Sequence, residues 1–162
     1  MDAAIIQRLT RNNARTGLEM PGKTWFILAA LLGAGAVATG AFGAHGLRGN
    51  IHHLYSDPET QLKRLEQWDT AVQYHFYHVV PLLALGLLPG DGKRKLRTAA
   101  GVLFMLGLLG FSGGLYALVL LNIKMLGATI VPLGGTLWIV AWICLALSTM
   151  GATFYGHIKS AS

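Results

Sequence analysis

The chain is poor in charge and poorer still in acid. Of its 162 residues, 13 are Lys or Arg, seven are Asp or Glu and one is cysteine. A single thiol, Cys144, excludes an intrachain disulfide and a Cys-rich metal centre, and its apolar surroundings in the sequence read as packing. Four stretches, 24–47, 70–90, 98–123 and 125–158, contain no Asp, Glu, Lys or Arg. No carboxylate therefore sits deep in any of them, which removes the usual proton- or cation-coupling acid of a transporter. The sequence also lacks a Ser/His/Asp set, an HExxH helix, paired acids and a phosphate-binding glycine loop, so catalysis has no residues to act through. The expectation is a protein that is not an enzyme and carries no cofactor.

What is present is apolar surface. Hydrophobic residues make up 53% of the chain and charged ones 12%, about half the share expected of a soluble domain. Each uncharged stretch is about 20 residues or longer, which is what a helix needs to cross about 30 Å of hydrocarbon. The sequence thus predicts an all-α integral membrane protein, an up-down bundle of four transmembrane helices in which short connections make consecutive helices antiparallel neighbours. The net charge of +6 is then a topology signal, not a nucleic-acid patch. Arg8, Arg11, Arg15, Lys23, Lys93, Arg94, Lys95, Arg97 and Lys159 fall on one side, and Arg48, Lys63, Arg64 and Lys124 on the other, diluted by Asp57, Glu59, Glu66 and Asp69. That excess places both termini and the second loop on the cytoplasmic side of a bacterial inner membrane, or on the matrix side of a mitochondrial one. The first apolar run follows Lys23 and ends in small residues, as a signal peptide does, but it is too long for one. A retained span is expected, preceded by an extension, 1–23.

Spans are expected at about 25–46, 69–88, 96–121 and 132–155, within a domain at 24–156 that is followed by a tail at 157–162. Ser56-Asp57-Pro58-Glu59 reads as a helix start, with a capping side chain, proline at the first helical position and an acid in the first turn. A short outer helix at 58–68 follows, either lying in the interface or running straight into the second span. Pro89-Gly90-Asp91-Gly92 is a turn, and 122–131 a short outer loop. Trp68, Tyr55, Tyr74 and Tyr77 are expected to form an aromatic belt at headgroup level.

Glycine occurs 21 times, roughly twice the usual share, and it is patterned. Ala36, Gly40 and Ala44 lie four apart, beside Gly35, Thr39 and Gly43. Gly110 and Gly114 flank Phe111-Ser112-Gly113, and the fourth span opens Pro132-Leu133-Gly134-Gly135. Small residues at four-residue spacing let membrane helices approach closely.

Antiparallel wiring gathers the polar residues on the outer side: His45, then Tyr74, His75 and His78, then Ser112 and Tyr116. At about 1.5 Å of rise per residue, His45 lies roughly 3–5 Å below the outer boundary, His75 roughly 9 Å and His78 roughly 13 Å. Two readings of His78 stand open. It ties helices together through a carbonyl, Ser112 or a tyrosine hydroxyl, a reading favoured by Pro81, which cannot donate to the Tyr77 carbonyl. Alternatively His45, His75 and His78 are metal ligands, since imidazole suits zinc, copper or nickel, although no acid accompanies them beyond Asp69 at the rim. A bis-histidine haem is disfavoured by the roughly 8–10 Å difference in depth between His45 and His78.

The segments LGAGAVATGAFGAHGL, WDTAVQYHFYHVVPLLALGLL, FSGGLYALVL and VPLGGTLWIVAW resemble the transmembrane protein 256 family, whose bacterial members form a domain of unknown function, four two-three in the usual numbering. The resemblance covers about residues 25–155. It implies a small four-span membrane protein without an assigned activity. By position, Gly40, Ala41, Gly43, Ala44 and His45 match its first motif; Tyr74 and His78 its Tyr-x-x-x-His element; Ser112, Gly113, Leu115 and Tyr116 the third; Pro132, Gly134 and Gly135 the fourth. Gly114 and Val131 stand where the family commonly has hydroxyl residues, and His75 where it often has glutamine, which thins the polar cluster.

The leading expectation is an accessory or structural subunit that packs against other integral membrane proteins, or against copies of itself, through its Gly/Ala faces. Its surroundings are membrane lipids, with no nucleic acid. Gly40, Gly43, His45, Tyr74, His78, Ser112, Gly113, Tyr116, Pro132, Gly134 and Gly135 carry that expectation. The rival is an outer-leaflet small-ligand or metal site built by His45, His78, Tyr74 and Tyr116, and an oligomeric transporter is the third reading.

Overall fold

The computed structural model describes residues 22–88 and 93–150. The expectations for the N-terminal extension, the turn at 89–92, the far end of the fourth span and the C-terminal tail lie outside the described residues.

Four long helices make up the fold: α1 at Gly22–Leu54, α2 at Pro58–Leu87, α3 at Arg94–Leu121 and α4 at Leu126–Thr149. Glycine in a helix interior costs about 1 kcal/mol against alanine in water, yet α1 stays helical through all its glycines. In lipid the backbone has no alternative donor or acceptor, so the helix persists. The glycine-rich segments instead loosen the winding. Phe42–Leu47 in α1, Leu109–Gly113 in α3 and Leu126–Ile130 at the start of α4 are π-helical. In α1, Ala29 and Ala36 face inward before the wide segment, Gly43 and Leu47 within it and Ile51 after it.

Several expectations change. α1 does not stop at Gly46 but runs on to Leu54. Of the two readings of the outer helix, the one that runs straight into the second span holds: a single helix started by Asp57, whose side chain accepts from the Thr60 N–H at 2.8 Å, with Pro58 in the first turn. The outer loop at 122–131 is mostly helix, since α4 begins at Leu126; α3 ends on Asn122 in the left-handed conformation, φ 53°. Three helices, α1, α3 and α4, are long and apolar enough to cross a membrane. The exception is α2, because Gln73, Tyr74, His75, Tyr77 and His78 interrupt its apolar run.

Packing follows the small residues. α1 lies along α2, and α3 along α4, with α2 against α3 as the seam between the two pairs. The Gly22 and Gly86 backbones touch at the end of α1 where it begins; Gly40 packs on Val72, and Gly43 on the Trp68 indole nearer the outer end. Gly134 lies directly on the Gly110–Phe111 backbone, closing α4 onto α3. The largest core cluster joins Trp25, Leu82, Phe104 and Trp138, while Leu47, Ile51, Tyr55, Trp68 and Val119 form a second core at the outer end. Trp68 and Tyr55 are therefore core residues rather than belt residues; Tyr55 Oη donates to the Val119 carbonyl at 2.7 Å.

Candidate functional site

Two polar clusters form on opposite sides of α2. The first lies between α1, α2 and α3. Tyr116 Oη sits 3.2 Å from Thr39 Oγ1 and 3.4 Å from His75 Nδ1. Thr39 Oγ1 is within 3.1 Å of the Gly35 and Ala36 carbonyls, which accept only. One ordering satisfies every hydroxyl: Thr39 donates to its own helix, Tyr116 donates to Thr39, and His75 Nδ1–H donates to Tyr116. Trp68 Nε1 donates to the Thr39 carbonyl at 3.0 Å, and its ring centroid lies 4.6 Å from that of Tyr116. The tight fit needs Gly43, because any side chain there would enter the Trp68 indole.

The second cluster lies between α2, α3 and α4. The His78 imidazole stacks on the Trp138 indole, centroids 3.6 Å apart and planes within 2°. Its Nδ1 is 2.8 Å from the Tyr74 carbonyl, which fixes the proton on that nitrogen. Tyr74 covers the stack and meets Phe111 at 5.0 Å. Trp138 Nε1 donates to the Phe104 carbonyl at 3.2 Å, and its ring fills the space that Gly107 leaves open. The His78 ring thus ties α2 to α4 by stacking, while its hydrogen bond stays within its own helix.

The sequence-derived residues divide accordingly. Tyr74 and His78 meet, with Gly134 and Gly135 against Phe111 beside them; His75 and Tyr116 meet on the other side. His45 is exposed on the outside of α1, Pro132 is exposed on α4, and Gly113 is half-buried. Ser112 is fully buried, and its Oγ has no hydrogen-bond partner among the described residues. The structure therefore separates His45, His75 and His78, and no group of three or more His, Cys, Asp or Glu that could hold a metal gathers among the described residues. Thr39, Phe111 and Trp138 complete the clusters but were not singled out in the sequence. For Trp138 a signal existed: it lies well inside an uncharged stretch, away from the interface that tryptophan favours in membranes.

The comparisons with known proteins bear on this same region. The family described as "Protein of unknown function (DUF423)" matches residues 39–135, a segment that runs from Thr39 to Gly135 and takes in Thr39, His75 and Tyr116 of the first cluster and Tyr74, His78 and Phe111 of the second, stopping short of Trp138. The UPF0382 membrane protein of Staphylococcus aureus (strain bovine RF122) is 43% identical over 127 residues, covering 78% of this chain and 95% of its own. The UPF0382 membrane protein YwdK of Bacillus subtilis is 40% identical over 132 residues, covering 79% and 97%. No solved structure matches. These findings correct the family taken from the motifs: they support DUF423 and the UPF0382 membrane proteins, not the transmembrane protein 256 family. The chain belongs to the DUF423/UPF0382 family of bacterial membrane proteins.

Proposed function

We propose that the protein is a non-enzymatic, four-span membrane protein that serves as an accessory subunit, packing against another integral membrane protein through the exposed face of α2. The Gly/Ala rows of α1 supply less of that surface, because Gly40 and Gly43 are spent on contact with Val72 and Trp68 of α2 and Ala29 and Ala36 are buried. The observation that carries the reading is a polar pair on the outside of α2: Gln73 Nε2 donates to Tyr77 Oη at 2.8 Å, both residues exposed and flanked by exposed Phe76 and Val80. They lie in the uncharged stretch 70–90, roughly 6 and 12 Å inside it along the helix. Among the described residues the Gln73 carbonyl has no donor and its second amide N–H no acceptor. In hydrocarbon each unsatisfied polar group costs several kcal/mol, so a neighbouring helix with a hydrogen-bonding side chain stabilises this face.

The same helix supports the reading of four spans. α2 meets α1 through Gly86 and Gly22 at one end and through Trp68 and Gly43 at the other, so it covers the same depth as α1. The basic excess supports both termini on the cytoplasmic side. Native mass spectrometry of the full chain, gently extracted from its source membrane, tests the proposal. A discrete assembly with other polypeptides is expected, lost in the Gln73→Leu/Tyr77→Phe variant. A lone chain, or an assembly indifferent to that variant, overturns it.

A further inference from the structure

The outer end of the bundle holds an open cavity of about 530 Å³, within the range of small-ligand pockets. Tyr55, Lys63, Arg64, Gln67, Asn122 and Lys124 line it, and none of the first loop's four acids does. Arg64 is 8% exposed. Its guanidinium donates to Gln67 Oε1 at 2.9 Å and to Asn122 Oδ1 at 3.0 Å and lies over the Tyr55 ring, centroid 5.3 Å away. Among the described residues its Nε is buried without a partner and no carboxylate pairs with its guanidinium. A buried cation held only by neutral groups is costly unless an anion completes it. The end of α3 offers about half a negative charge, too little for three cations in one cavity. Lys124 directly follows the uncharged stretch 98–123, and Arg64 lies six residues, about 9 Å of helix, beyond the stretch 70–90. That is the level of lipid headgroups.

We propose that this cavity is a phosphate-binding site, taking the phosphate of a phospholipid headgroup or of a free phosphorylated molecule. The guanidinium and two ammonium groups match an oxyanion with several acceptor oxygens, and the Gln67 and Asn122 contacts hold Arg64 in place for it. The site is independent of the α2 face, so either reading survives failure of the other.

The test uses the full chain in a phosphate-free maltoside detergent, following thermal unfolding against inorganic phosphate, phosphatidylglycerol, diacylglycerol and ionic-strength-matched chloride. Lys63 and Lys124 are exposed, so Lys63→Gln/Lys124→Gln is expected to fold where Arg64→Gln need not. Arg48→Gln serves as the control for surface charge in general. The expected result is stabilisation by a phosphate-bearing probe, with a half-saturating concentration at least tenfold higher in the double variant and unchanged in Arg48→Gln. Stabilisation by phosphatidylglycerol alone assigns the lipid headgroup; stabilisation by inorganic phosphate assigns a free anion. If neither probe exceeds chloride and diacylglycerol, or if the double variant responds like the wild type, or if Arg48→Gln weakens the response equally, the proposal is overturned.

Discussion

At the scale of single residues, the polar atoms differ sharply in how well they are met. Ser112 is buried with its Oγ unpartnered among the described residues, and a buried hydroxyl without a partner costs about 1–3 kcal/mol. Ser112→Ala is therefore expected to leave thermal stability unchanged or raise it by up to about 1 kcal/mol, and a large loss would reveal a partner acting on that hydroxyl. Asp57 is the opposite case. Its carboxylate accepts from Thr60 Oγ1 at 2.6 Å and from the Thr60 N–H at 2.8 Å, and these bonds, the hydroxyl's first, hold its pKa below the ordinary value. A depressed pKa means that stability is fully present above the unfolded-state value of about 3.8 and is lost as pH falls through the lower folded one. Melting temperature measured from pH 6 down to pH 2 should thus fall less steeply in Asp57→Asn than in the wild type; parallel curves would show that the cap does not titrate in this way. The cap was legible in the sequence because its spacing is local. The stack of His78 on Trp138 was not, because the two residues lie 60 apart and nothing in a single chain says which aromatic meets which imidazole.

At the scale of helices, the glycine spacing foretold close approach but not its direction. A helix apolar all round has no polar face to mark its outside, so periodicity cannot say whether Gly40 and Gly43 face a neighbour in the bundle or a foreign protein. The structure turns them toward α2. The same limit explains why the sequence leaves α2 open as one element or two: its outer third is amphipathic and charged, its remainder uncharged, and only the continuous backbone makes it one helix. Two glycines separate packing from mere composition. At Gly134 a Cβ would run into the Gly110 and Phe111 backbone, which cannot yield, whereas at Gly49 nothing lies within 4 Å. Gly134→Ala is expected to destabilise by about 1–3 kcal/mol through overpacking. Gly49→Ala should be neutral or stabilise by up to about 1 kcal/mol, since alanine is the better helix former. Thermal melts of the two variants in one detergent check this, and equal costs would mean that the α3–α4 contact is looser than the backbone distances imply.

At the scale of the molecule, the number of crossings is set by α2. If it spans, Ser56 and Lys93 lie on opposite faces of the membrane and both termini share one; if it lies outside the bilayer, Ser56 and Lys93 lie on the same face and the termini on opposite ones. Contact with α1 from Gly22 to Gly43 favours the spanning route, because leaving the bilayer alone would expose the glycines and Trp68 that join the two helices. The single cysteine makes the question experimentally clean. Cys144 sits half-buried in an uncharged stretch, where a water-soluble reagent does not reach it, and serves as its own background. Ser56→Cys and Lys93→Cys each add one exposed thiol in a connection. A membrane-impermeant maleimide applied to intact cells should label Ser56→Cys and leave Lys93→Cys unlabelled until the membrane is permeabilised, because a basic cluster such as that around Lys93 is expected on the cytoplasmic side. Labelling of both positions from outside would reduce the protein to three spans, remove Gln73 and Tyr77 from the hydrocarbon, and with them the reason for a partner on that face.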